Sequence, residues 1–335
     1  MCTRTLFVGD DHLVITGRNM DWKEDMLTNL YVFPAYAQRS GSVTNNPVEW
    51  ISKYGSVIAA GYDSGSVDGM NEKGLVANLL YLVESSYPSQ LSSRPDLSIS
   101  MWLQYVLDNF SSVKEAVNAL SNEPFNLIPV VLPNGDLSPL HLSISDSTGD
   151  SAIFEYISGK LCIHHDTAYK VMTNSPPYEQ QIILNEYWKQ IGGLTFLPGT
   201  NRASDRFVRA SFLLDAIPKT IAPQYINSIP KQSFRYQAVA EVLSLMRAVS
   251  VPLGITTPEQ PNISSTIWRT VSDQTNLVYY FDSATRPNAF WVDFANLKFN
   301  AGAPIKKLSL QNGEIYAGEV SSNFQKSELF RFLSA

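Results

Sequence analysis

Short apolar runs of strand length, each bounded by Gly, Asp or Asn, recur along most of the chain, and segments of helical spacing fall between groups of them. Such runs read as strands, because strand side chains alternate with period two and the ends need residues that turn. Residues 3–8 and 13–18 flank Gly9-Asp10-Asp11-His12 as a hairpin. Residues 56–61 and 75–83 flank the polar stretch from Asp68 to Gly74, which reads as a turn. Residues 139–145, 152–157, 161–165 and 169–173 make a strand-rich middle, and 276–282 with 289–293 a late pair. Helical spacing covers 97–109, 178–190, 204–216 and 235–249, and Ser112-Val113-Lys114-Glu115 has the Ser-x-x-Glu order of a capping box. The order is strands, helices, strands, helices, strands. It predicts stacked layers of sheet and helix rather than βαβ units, in which single strands and helices would alternate.

Composition removes several function classes. With 44% hydrophobic and 17% charged residues the chain is not a disordered one. No repeat and no convincing linker divides it, so residues 2–335 are expected to form one domain. No stretch approaches the ~18 apolar residues of a membrane span. Asp10 and Asp11 stand where the apolar core of an export signal would run, so the chain reads as lacking one. The 25 Lys and Arg against 31 Asp and Glu give a net charge of −6 with no basic run, which argues against nucleic-acid partners. His164-His165-Asp166 lacks a third ligand at metal spacing and reads as a strand end. No metal and no cofactor is expected, and Cys162 reads as a small buried hydrophobe.

Cys2 carries the chemistry. Removal of Met1 would leave a thiol and a free α-amine on one residue, and an amine with a reference pKa near ~7.7–8.0 serves as a local base for the nucleophile. Position alone does not establish this, since a cysteine beside a start codon is usually nothing more. Thr16-Gly17-Arg18-Asn19-Met20-Asp21-Trp22 follows the first hairpin, and paired strands ~5 Å apart would return Arg18 and Asp21 to residue 2. A cation there favours thiolate, and a carboxylate holds an ammonium. Taken alone, the same two side chains are a surface ion pair.

At this point the chain resembles the choloylglycine hydrolase and penicillin V acylase family of N-terminal-nucleophile cysteine amidases. The likeness rests on Met1-Cys2-Thr3-Arg4, Gly17 to Trp22, Asn71-Glu72-Lys73-Gly74-Leu75, Thr173-Asn174-Ser175-Pro176 and Asp205-Arg206-Phe207-Val208-Arg209, in the same order along the whole chain. It implies an α+β, four-layer αββα sandwich and hydrolysis of a linear amide through an acyl-enzyme. Carried over by motif, Cys2 is the nucleophile, Arg18 and Asp21 support its thiol and amine, and Arg206 completes the charged set. Asn174 and the backbone N–H of Tyr81 are the oxyanion donors. Tyr81 and Trp22 are expected to wall the substrate.

The stretches 105–110, 150–156 and 197–212 look like the Gram-negative penicillin V acylase branch, some of whose members also cleave N-acyl homoserine lactones and so quench quorum signals. The resemblance implies a homotetramer and a periplasmic location, against a cytoplasmic one read from the missing signal. The alternatives are a conjugated bile salt hydrolase, acting by the same mechanism, and a catalytically idle binder of amphipathic ligands.

Overall fold

The computed structural model of the protein describes residues 1–192, 196–259, 263–328 and 330–334. A seven-stranded sheet runs in the order Val171–Met172, Cys2–Val8 (β1), Val14–Trp22 (β2), Ser265–Asp273, Val278–Ser283, Ala289–Asp293, Gly318–Glu319. A nine-stranded sheet runs Lys160–His165, Ser151–Ile157, Leu140–Ser145, Val76–Tyr81, Gly65–Asn71, Ser56–Gly61, Leu30–Phe33, Lys306–Leu308, Gln325–Lys326. Helices α1 (Trp102–Asn109) and α2 (Val113–Leu120) pack on the nine-stranded sheet. Helices α4 (Ala203–Ala216) and α5 (Phe234–Ala248) pack on the seven-stranded one, with α3 (Tyr178–Ile191) against α4. The result is an αββα sandwich.

Burial explains why the central strands read as unbroken apolar runs. In Ser56–Gly61, Val57 and Ala59 join the core shared with the seven-stranded sheet, while Ile58 and Ala60 join the core shared with α1. A strand covered on both faces has no polar side to alternate with. Gly17 shows how closely the layers approach: a Cβ there would lie 2.8 Å from Val242 and from Met246 of α5. Alanine at 17 would therefore push α5 off β2.

Several boundaries differ from the sequence reading. The stretch from Asp68 to Gly74 is not all turn, because Gly65–Asn71 is a strand. Its polar side chains have buried partners in the fold, which a local reading cannot see. The turn is Asn71 to Gly74, closed by Gly74 N–H to Asn71 O at 2.9 Å with φ +79° at Gly74. The helix expected over 97–109 starts at Trp102, because Asp96–Ser98 pairs in parallel with Asn126–Ile128. β2 runs on to Trp22, so Gly17 to Trp22 lies inside a strand rather than after one. Among the described residues no helix is long and apolar enough to cross a membrane.

Candidate active site

β1 and β2 pair antiparallel with Cys2 opposite Met20 and Arg4 opposite Arg18. Cross-strand neighbours share a face, so Cys2, Arg18 and Met20 form one cluster. The Cys2 thiol is 3% exposed. Its Sγ lies 3.6 Å from Arg18 Nη2 and 3.7 Å from the Met20 sulfur. Arg18 is itself fully buried and donates to Leu79 O at 3.0 Å. Its guanidinium sits 4.6 Å over the Trp268 ring and 3.8 Å from Asp68 Oδ2. Burial pushes the Asp68 carboxyl above its ordinary range, against the pull of Arg18 and of hydrogen bonds from Tyr279 and Asn78.

Four groups converge on the α-nitrogen side of Cys2. The Cys2 N–H donates to Asn174 Oδ1 at 2.5 Å, and Arg206 Nη2 donates to the same oxygen at 2.9 Å. Arg206, at the first turn of α4, also donates to Cys2 O at 2.6 Å and to Thr3 Oγ1. Its guanidinium lies 3.4 Å from Asp21 Oδ2, and both side chains are fully buried. Asp21 Oδ1 accepts from Thr266 Oγ1 at 2.6 Å, whereas Asp21 Oδ2 accepts no hydrogen bond. The Met1 ammonium donates to Asp21 O at 2.6 Å, and burial lowers its pKa below the ordinary value, opposed by Cys2 and Asp21. This pocket thus holds an amine, disfavours its charge by desolvation, and keeps one carboxylate oxygen without a donor.

Backbone geometry accounts for the position of Tyr81. Leu82 N–H bonds Pro139 O at 2.9 Å, so residues 78, 80 and 82 hydrogen-bond toward Leu140–Ser145 and residues 79 and 81 toward Gly65–Asn71. Pairing with that neighbour stops at Asp68 opposite Asn78. Arg18 takes the freed carbonyl of Leu79, and Asn174 Nδ2 donates to that of Tyr81 at 2.6 Å. The Tyr81 N–H on the same edge has no ladder partner. It lies beside an Asn174 amide that still has a second hydrogen to give. Two donors side by side next to a thiol are the requirement of an oxyanion hole.

The Tyr81 ring faces Trp22 with centroids 5.8 Å apart and planes at 56°. Trp22 lines a cavity of about 410 Å³ with Ile267, Trp268, Phe281, Leu253 and Leu310 as its apolar wall. That volume suits a small molecule. Trp268 stands between this cavity and Arg18, whose guanidinium lies over its ring. Tyr81 does not line the cavity.

Sequence reasoning missed Met20, Asp68, Thr266 and the cavity face of Trp268. It also missed a buried pair behind the site. His141 and Glu155 bond at 2.8 Å, and both are at most 1% exposed. Burial would raise the Glu155 carboxyl, but hydrogen bonds from His141 and His164 and the Tyr178 N–H outweigh it and hold it at about 2. His165, at the strand end, pairs with Asp150 at 2.9 Å.

The family of linear amide C–N hydrolases, choloylglycine hydrolase family, matches residues 2–307. The chain is 46% identical to a penicillin V acylase of Pectobacterium atrosepticum over 346 aligned residues, covering 99% of this chain and 92% of that one. The structure of a penicillin V acylase from Agrobacterium tumefaciens superposes with a TM-score of 0.89 at 51% identity, each chain covered fully. The C2A mutant of a conjugated bile acid hydrolase from Clostridium perfringens superposes with a TM-score of 0.75 at 25% identity, covering 94% of this chain and 98% of that one.

Proposed function

Since this chain belongs to the choloylglycine hydrolase family of linear amide C–N hydrolases, we propose that it removes the phenoxyacetyl group of penicillin V with Cys2 as nucleophile. The observation that carries this reading is the buried thiol of a residue at the chain's start, 3.6 Å from a guanidinium, with its α-nitrogen held by Asn174.

Removal of Met1 converts the Cys2 amide into an amine in the same desolvated pocket. Asp21 Oδ2, a buried acceptor without a donor, then has one. The amine takes the thiol proton as sulfur attacks the amide carbon. The oxygen that becomes negative is received by the Tyr81 N–H and Asn174 Nδ2, each such donor being worth about 2.7–4 kcal/mol. Collapse of the tetrahedral species breaks the C–N bond, and the ammonium gives its proton to the leaving nitrogen. Water then gives a proton to the amine, attacks the thioester through a second oxyanion, and frees acid and thiol. Arg206 fixes Asn174 Oδ1 and Cys2 O throughout, so the donor edge keeps its place.

Penicillin V is favoured over a conjugated bile salt by the Trp22–Tyr81 aromatic pair, which suits a phenoxy ring in tilted geometry. Straight acyl chains, which bring no ring to that pair, are expected to be weaker substrates. The test is a competition assay of the purified protein with penicillin V, a glycine-conjugated bile salt and a long-chain acyl homoserine lactone. Preferred release of phenoxyacetate, lost completely in Cys2→Ala with a melting temperature within a few degrees of wild type, is expected. Turnover that survives Cys2→Ala defeats the mechanism. An intact mass that retains Met1, with binding and no turnover, supports the idle binder instead.

Assembly as a homotetramer is part of the same proposal. Its support is an apolar stripe on α3 and just beyond it: Ile183, Leu184, Tyr187, Ile191 and Phe196 are all 37–67% exposed.

A further inference from the structure

Behind Asn174, on the side away from Cys2, both ring nitrogens of His141 face acceptors. Nδ1 lies 2.8 Å from Glu155 Oε1, and Nε2 lies 2.9 Å from the backbone oxygen of Thr173. The Thr173 carbonyl can only accept, so Nε2 carries the hydrogen that meets it, while Nδ1 faces the Glu155 carboxyl. The ring is fully buried. Its surroundings are Glu155 on the neighbouring strand, His164 Nε2 at 3.6 Å from the other Glu155 oxygen, and Tyr178 of α3, whose N–H donates to Glu155 Oε2 at 3.0 Å.

We propose that the His141–Glu155 pair positions the oxyanion donor Asn174 by gripping the carbonyl of the residue before it. This rests on the reading of Asn174 given above. Thr173 is clamped from both sides, since its Oγ1 also meets Gln181 Oε1 at 2.6 Å and Ala203 O at 2.9 Å. Gln181 in turn donates to Asn174 O and to Pro176 O. The Thr173–Asn174 peptide is thereby tied to two strands of one sheet and to α3 and α4. Asn174 must hold Cys2 N, Arg206 and Tyr81 O at once, with contacts of 2.5, 2.9 and 2.6 Å, so a small shift of its backbone breaks more than one of them. His141 touches none of the reacting atoms. It acts through Thr173 and is a positioning residue.

The pair can be replaced by a neutral chain of the same length. In His141→Gln the new amide can donate to Thr173 O, but its oxygen then faces the Glu155 carboxylate and is repelled. Adding Glu155→Gln restores a donor toward that oxygen while the other atom still accepts from Tyr178 N–H. With penicillin V as substrate and Cys2 titrated to count active sites, His141→Gln should lower kcat ~30-fold with KM within ~3-fold, less than the loss of a whole oxyanion donor. The double variant should regain ~10-fold of that loss. A His141→Gln protein that keeps kcat, or a folded double variant that recovers nothing, overturns the proposal.

The wild-type protein supplies a measurement that needs no folded variant. The 15N shifts of His141, in protein labelled at histidine, should show Nε2 carrying a hydrogen, and a bare Nε2 overturns the proposal. The broader reading fails separately, if Cys2→Ala still turns over substrate.

Discussion

At the scale of single residues, the arrangement around Cys2 makes a divided demand on Tyr81. Its backbone N–H lies on the edge that Asn174 holds, and its ring leans on Trp22 at 5.8 Å. Tyr81→Ala removes the ring and keeps the N–H. The loss should therefore appear as discrimination: kcat/KM for penicillin V falls ~5-fold further than for a straight-chain acyl substrate, the equivalent of ~1 kcal/mol of stacking. Rates on both substrates and the melting temperature check this. Equal losses on both at an unchanged melting temperature would place the damage in the oxyanion hole rather than in the aromatic wall. Met20 shows the opposite kind of residue, one whose contribution is contact alone. Its sulfur is 3.7 Å from the thiol and 3.4 Å from Arg18, so it fixes both without taking a proton from either.

At the scale of elements, Glu155 links Leu140–Ser145, Lys160–His165 and α3 to its own strand through His141, His164 and the Tyr178 N–H. Its carboxyl is held at about 2 against an ordinary value of 4.5. A carboxyl depressed in the fold contributes stability that is fully present above its unfolded value and is lost as pH falls toward the folded one. The contribution is about 3 kcal/mol, lost between roughly pH 4.5 and 2. Urea midpoints of wild type should drop across that window, and those of Glu155→Gln should drop less steeply. Parallel slopes would show that the pair does not govern acid stability.

The contrast with β1 and β2 shows what the sequence makes legible at this scale. Cys2, Arg18 and Asp21 lie in one hairpin, so chain connectivity and strand spacing bring them together. Asn174 and Arg206 have no local signal, and only the family motifs pointed to them. Asp68, His141 and Glu155 looked like ordinary polar residues because their partners are set by sheet order. Asp68 meets Tyr279 from 211 residues away, and Arg18 meets it across the two sheets.

At the scale of the whole molecule, α3 is out of keeping with the other helices. Of its fourteen residues only Tyr178 and Gln181 are buried, whereas α5 buries six of fifteen. Ile183, Tyr187 and Ile191 follow one another at intervals of four, which places them on one face of a helix, and Leu184 lies beside them. Leaving such a stripe in water costs roughly 25 cal/mol per Å² of apolar surface, so a second copy that covers it gains the same amount. Charge on that stripe should therefore separate copies without touching the sandwich. Ile183→Glu combined with Tyr187→Glu is expected to shift the proposed tetramer toward smaller species in light scattering at micromolar concentration. The melting temperature of each protomer's core should change little, because neither side chain contributes to the buried clusters. Wild type that scatters as a monomer would refute the assembly outright. A tetramer that persists in the double variant would instead keep the assembly and move its interface off α3.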